Sequence, residues 1–169
     1  VTCHLGNGAS LCAIKNGKSV DTSMGFTPLP GIPMGTRSGD IDPAIIFHLM
    51  RNGWSAEKVE KMLEKESGLL GLCGDWDMRK IWARAQKKDK RAILTIDLYS
   101  YKIAQYVGQY AVSLGGVDCL VFTGAIGENA FYVRNSILKY LKHLKIKNIL
   151  VIPTDEELSI AEQTKGLLI

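Results

Sequence analysis

Three glycine-rich stretches hold the residues best suited to chemistry. The first is His4-Leu5-Gly6-Asn7-Gly8, a glycine turn directly after an apolar run. The second is GFTPLPGIPMGTRSGD, residues 25–40, whose three prolines and four glycines rule out regular structure and set Arg37 in a long, shaped loop. The third, Gly124-Ala125-Ile126-Gly127-Glu128-Asn129, follows the apolar run DCLVFTG. Glycine turns after strands suit anions, because bare backbone amides approach closely and a following helix dipole favours negative charge. A hairpin turn can do the same without a helix, by aiming successive N–H groups at a phosphate. From the turn alone, an ordinary Asn-Gly hairpin explains Gly6–Gly8 equally well, and a strand-end residue packed in the core explains His4.

Two familiar phosphate motifs fail on spacing. NGKS at 16–19 would need glycine at position 12 to complete a P-loop, and Cys12 stands there. Asn16-Gly17 between two β-rich runs is instead a two-residue hairpin turn. GNGASL at 6–11 would need a third glycine where Leu11 stands, and a strand pattern follows it rather than a helix. Two glycine loops and an arginine loop together point to a nucleotide cleft at the carboxyl ends of strands. Asp40 and Asp42 are candidate metal ligands, although Asp42 before Pro43 reads equally as a helix cap. Thr154 and Glu157 have the spacing of a capping box. That pairing would occupy Glu157 and leave Glu156 free to point elsewhere.

The elements that must position these residues are legible as a sequence of periodicities. VTCHL, SLCAIK and SVDTSM read as strands, as do DCLVFTG and NILVIP. Helices are predicted from Asp42 to Gly53, after the cap Ser55, over WDMRKIWARAQ beyond an interrupting GLLGLCGD, and from Asp89 to Ser113. In the last of these, Ile93, Ile96, Ser100, Ile103, Val107, Tyr110 and Leu114 make one stripe at helical spacing. A loop GAIGEN is expected to lead into the helix AFYVRNSILKYLKHL, with Asn129 as its cap, and TDEELSIAEQ into a final helix. Strands first, then helices alternating with two more strands, predict an α/β domain on a mixed sheet.

Composition sets the outer limits. The chain has 169 residues, 46% apolar and 22% charged, with a formal net charge of +4. That is a globular composition, with no membrane span and no concentrated basic surface for nucleic acid. The lysines of KYLKHLKIK read as a solvated helix end. Cys3, Cys12, Cys73 and Cys119 form no CxxC pair and no zinc cluster, and read as free thiols of a reducing cytoplasm.

HLGNGASLCAIKNGKSVDTSMGFTPLPGIPMGTRSGDIDPA closely resembles the second half of the acetate kinase family. GLLGLCGDWDMR, LVFTGAIGEN and VIPTDEEL continue the match in order, so that the resemblance spans nearly all 169 residues. Propionate kinases are close relatives and butyrate kinases more distant ones. The resemblance implies the actin-like ATPase fold of the acetate and sugar kinases, heat-shock ATPases and actin. It implies that residues 1–169 are the C-terminal nucleotide-binding domain of a two-domain kinase, starting at Val1 in mid-strand. The implied reaction is reversible phosphoryl transfer from ATP to acetate, with Mg2+, in a cytoplasmic homodimer.

By the same resemblance, His4, Leu5, Gly6, Asn7 and Gly8 cradle the phosphates, and Arg37 stabilises the transferring phosphoryl group. Asp77, Met78 and Arg79 lie near the nucleotide, Ala125 to Asn129 form the adenosine loop, Pro28 lines the acyl pocket, and Glu156 is the magnesium carboxylate. Ala125 stands where the family commonly has glycine, and Pro30 where it commonly has an acid. A substrate-binding arginine, a catalytic aspartate, a histidine and an asparagine would lie in the other half, so the chain alone is expected to be inactive. A non-catalytic ATP-binding module of the same superfamily is the competing reading. The full arginine-loop motif argues against it.

Overall fold

The computed structural model describes residues 1–167. Five strands form one mixed sheet: β1 (Thr2–Leu5), β2 (Ala9–Lys15), β3 (Lys18–Thr22), β4 (Cys119–Thr123) and β5 (Asn148–Val151). Their order is β3-β2-β1-β4-β5, with β1, β2 and β3 antiparallel and β1, β4 and β5 parallel. Asn16 and Gly17 both have positive φ, 52° and 76°, so the β2–β3 turn is the hairpin their dipeptide predicts.

Along β1, β2 and β4, buried residues alternate with half-buried ones. Cys3, Leu5, Leu11, Ala13, Leu120 and Phe122 therefore share one face and one core with the helices. Each fully buried leucine or isoleucine there contributes about 1.5–3 kcal/mol by leaving water. Burial pushes the Cys3 thiol up to about 12, so it is inert as a nucleophile.

Eight α-helices surround this core among the described residues: α1 (Ala44–Arg51), α2 (Ala56–Lys65), α3 (Gly68–Cys73), α4 (Met78–Gln86), α5 (Lys90–Leu114), α6 (Gly124–Asn129), α7 (Phe131–Tyr140) and α8 (Glu156–Leu167). The longest, α5, starts where Asp89 accepts from the Arg91 and Ala92 amides and stops at Gly115, φ 78°. It buries Ile96, Tyr99, Ser100, Ile103, Val107 and Tyr110. Ile93 leaves the expected stripe and is 47% exposed, because Ala92 and Thr95 take the inward positions in that turn.

Four local expectations are corrected. GLLGLCG is not an interruption but the short helix α3, entered through Gly68 at φ 60°. GAIGEN is not a loop but α6, and Asn129 caps nothing: its amide donates to the Ala125 carbonyl, four residues back. The helix after it ends at Tyr140, and a 3-10 turn follows at Lys142–Leu144. The capping box is absent. Asp155 accepts from the Leu158 amide, while Thr154 turns back to the Thr123 hydroxyl and the Gly124 amide.

The Ser55 cap accepts from the Lys58 amide as expected. Asp42 likewise accepts from Ala44, one residue earlier than a formal N-cap. No described helix is long and apolar enough to cross a membrane.

Candidate functional site

The arginine loop is held from three sides. Met34 donates to the Arg37 carbonyl, closing a turn. Helix α3 donates through Leu69 and Leu70 to Met34 and Gly35, Ser67 donates to Thr36, and Ser38 donates to Leu63 at the end of α2. At the far end, Asp40 accepts from the Gly31 amide at 2.8 Å and from the Tyr106 hydroxyl of α5 at 2.5 Å. Burial, and then this bond to the carboxylate, raise the Tyr106 phenol above its ordinary range. Both Asp40 oxygens are thus committed to the loop's own structure, and Asp42 to its helix start. Neither is placed as a metal ligand.

This scaffold brings Arg37 to the β1–β2 turn. A side chain at Gly8 would meet the Arg37 guanidinium at 3.4 Å, and one at Gly35 would collide with the Asn7 side chain. The turn is tight, with Gly6 donating to the Gly8 carbonyl. His4 is half-buried, with its ring on the turn side, and Leu5 is fully buried. Leu5 therefore supports the turn from beneath and presents no accessible group to a ligand.

A cavity of about 610 Å³ opens beside the turn. Asn7 lines one part of it, Trp76 to Arg79 a second, and Ala125, Ile126, Asn129 and Ala130 a third. Trp82 and Tyr132, stacked at 4.0 Å between centroids, close it. Three separate glycine- or charge-bearing segments thus meet at one concave site, at the carboxyl ends of β1 and β4, where open α/β sheets commonly bind ligands.

The pieces are fixed by their own bonds. Asp77 accepts from the Arg79 amide and guanidinium, capping α4. The Arg79 hydrogen bond comes first in holding the Asp77 carboxyl down at about 2. Glu128 accepts from the Gly124 and Thr154 amides, tying α6 to the segment after β5. Gly127 is buried against β1, and a side chain at Gly124 would strike the Leu5 backbone. Gly124, Gly127 and Glu128 therefore hold α6 on β1, while Ala125, Ile126 and Asn129 face the cavity.

Pro28 is exposed in the segment before the loop and is not among the residues lining this cavity. The side chain of Glu156 lies outside the described residues. Its backbone starts α8, two residues after Thr154. Sequence reasoning missed Trp76, Trp82 and Tyr132. Their only signal was proximity: Trp76 and Trp82 flank the Asp77–Arg79 segment, and Tyr132 follows α6. Among the described residues no three His, Cys, Asp or Glu side chains group as a metal cage.

Known proteins match this chain closely. It is 46% identical to the acetate kinase of Carboxydothermus hydrogenoformans, an alignment covering 100% of this chain and 48% of that protein. It is 45% identical to the acetate kinase of Streptomyces avermitilis over 99% of this chain and 47% of that one. The chain thus spans about half the length of the curated relatives it matches. The first alignment runs over 193 positions against the 169 residues here, so at least 24 positions are filled by the relative alone.

The fold superposes on Porphyromonas gingivalis acetate kinase with a TM-score of 0.94 at 39% identity, over 99% of this chain and 48% of that one. It superposes on a propionate kinase from Francisella tularensis with a TM-score of 0.92 at 45% identity, over 95% and 47%. The mixed α/β architecture is therefore that of the acetate and propionate kinases, the actin-like ATPase fold. The profile of the Acetokinase family matches residues 1–148, and the chain belongs to that family.

Proposed function

We propose that this chain is the C-terminal, nucleotide-binding half of an acetate kinase, which transfers the terminal phosphoryl group of ATP reversibly to acetate. The observation that carries this reading is the convergence of Asn7, Asp77–Arg79 and Ala125, Ile126 and Asn129 on one cavity, with Arg37 beside Gly8. Phosphoryl transfer asks the protein chiefly for alignment and for positive charge around the moving group. The Gly6–Gly8 amides would hold the phosphates. The planar Arg37 guanidinium would span the equatorial oxygens of the transferring group, a geometry that a lysine point charge does not reproduce. The apolar and aromatic wall would take the base.

Mg2+ would arrive as a nucleotide complex that keeps most of its waters and needs only one or two carboxylates, which accords with the absence of a three-residue cage among the described residues. Glu156 would supply that carboxylate. Bound there, the ion would neutralise phosphate charge.

The acyl group distinguishes acetate from propionate by one methylene, worth about 1–3 kcal/mol in a pocket, and propionate kinase is the alternative reading. Two copies are proposed to pair, in the cytoplasm. Residues from the other half of the kinase would complete the clamp, and this chain alone should make no acetyl phosphate.

Calorimetric titration of the chain with MgATP and MgADP tests the reading. Binding that survives Arg37→Ala is expected, because that arginine acts on the transition state rather than on ground-state affinity. Absence of any nucleotide binding, in a chain whose fold is verified by circular dichroism, would contradict it.

A further inference from the structure

Helices α4 and α7 both pack on α5, and an open cleft of about 490 Å³ lies where the three meet. Its size falls in the ordinary range of small-molecule sites. Ala85 and Ile96 form a buried floor, and Trp82, Phe131 and Tyr132 an aromatic side. Phe131 meets Trp82 and Tyr132 edge-on, at 6.5 and 5.6 Å between centroids. Phe131 and Ile93 are apolar yet exposed in the cleft, a surface that a ring can cover.

Two charged side chains line the cleft, Asp97 of α5 and Lys139 of α7. They do not pair with each other, and among the described residues the Lys139 ammonium makes no ion pair. The Tyr140 hydroxyl donates to one Asp97 oxygen at 2.7 Å, which fixes the carboxylate and leaves its other oxygen for a ligand. A fixed anion and an unpaired cation beside an aromatic wall are complementary to a zwitterion that carries a ring. An α-amino acid presents an ammonium and a carboxylate on one carbon. A simple anion would be repelled by Asp97 and a simple cation by Lys139, so neither matches both charges.

Trp82 and Tyr132 also line the 610 Å³ cavity, so their stack is one wall with a space on either side. The Tyr132 hydroxyl donates to the Met78 carbonyl, at the start of α4 beside Asp77 and Arg79. A molecule packed against the back of the stack therefore favours the arrangement that already closes the larger cavity. We infer that the cleft is a second ligand site, for an aromatic α-amino acid, and that its occupancy tightens nucleotide binding through the Trp82–Tyr132 stack. The ring lies against Phe131 and Trp82, the ammonium on Asp97 and the carboxylate on Lys139. The site stands on its own residues, while the coupling rests on the nucleotide reading. Coupling of this kind is reciprocal, so the nucleotide tightens the amino acid by the same factor.

Calorimetric titration of the chain with L-phenylalanine tests the site, and titration of MgADP with and without phenylalanine tests the coupling. Binding in the millimolar range or tighter is expected, with MgADP held about fivefold more tightly when phenylalanine is present. Phenylacetate lacks the ammonium and phenethylamine the carboxylate, and each should bind about fivefold more weakly. Asp97 and Lys139 are both exposed, so Asp97→Asn and Lys139→Met should keep the fold and the affinity for MgADP alone, and each should weaken phenylalanine about fivefold. No phenylalanine binding by the folded chain, binding indifferent to both variants, or direct competition with MgADP would overturn the site. Phenylalanine binding that leaves MgADP affinity unchanged would overturn the coupling alone. Phenylalanine binding by a chain that takes up no MgADP would uphold the site and overturn the coupling together with the nucleotide reading.

Discussion

Residues 31–40 and residues 148–167 are held in opposite ways. The first stretch has almost no regular structure, yet Gly31 to Gly35 are buried and its backbone bonds to α3, to the end of α2 and, through Asp40, to α5. The second is a strand and a helix with good local geometry, yet its described side chains are exposed, and it is anchored by the β4 ladder and the Thr154–Gly124–Glu128 knot. Burial of the arginine loop thus comes from long-range bonds rather than from a regular backbone.

The largest effect should come from breaking the held region. A side chain at Gly68 would collide with the Met34 and Arg37 carbonyls, and its φ of 60° already disfavours one. Gly68→Ala should cost about 3 kcal/mol or more in urea unfolding and displace the Arg37 loop. Next, Tyr106→Phe leaves the Asp40 carboxylate without its partner on α5 and should cost about 1–2 kcal/mol. Faster hydrogen exchange in residues 31–40 would locate the loss.

A smaller effect concerns pH. The folded Asp77 carboxyl lies at about 2, below its ordinary 3.8, so its stabilisation is complete above that ordinary value and fades as pH falls through 2. Arg79 is 89% exposed, so solvent screens the pair and the gain is small. Arg79→Ala should return the Asp77 titration, read by NMR, toward its ordinary value. The smallest effect belongs to the loose region. Gly166 has nothing within 4 Å of a would-be side chain, so Gly166→Ala should raise α8 helicity by about 0.5–1 kcal/mol locally and leave the core transition unmoved.

The contrast also explains what the sequence could show. The Asn16-Gly17 hairpin, the Ser55 cap and most of the α5 stripe were legible, because each depends on residues a few positions apart. GAIGEN was misread because both its ends find a partner at distance: the Thr154 hydroxyl accepts from the Gly124 amide, and Glu128 accepts from the Thr154 amide. The capping box failed for the same reason, since Thr154 serves β4 and α6 rather than α8. The aromatic wall of the cavity was invisible because Trp82 and Tyr132 lie fifty positions apart and meet only when α4 and α7 pack. What led to the site was glycine placement, which reflects close backbone approach, together with the family resemblance.

Amide hydrogen exchange with and without MgADP tests the central claim most directly, that three distant segments make one nucleotide site. Protection is predicted in Gly6–Gly8, Trp76–Arg79 and Ala125–Asn129 together, with residues 145–152 unchanged. Protection confined to one of the three, or none, would contradict the shared cavity as the nucleotide site.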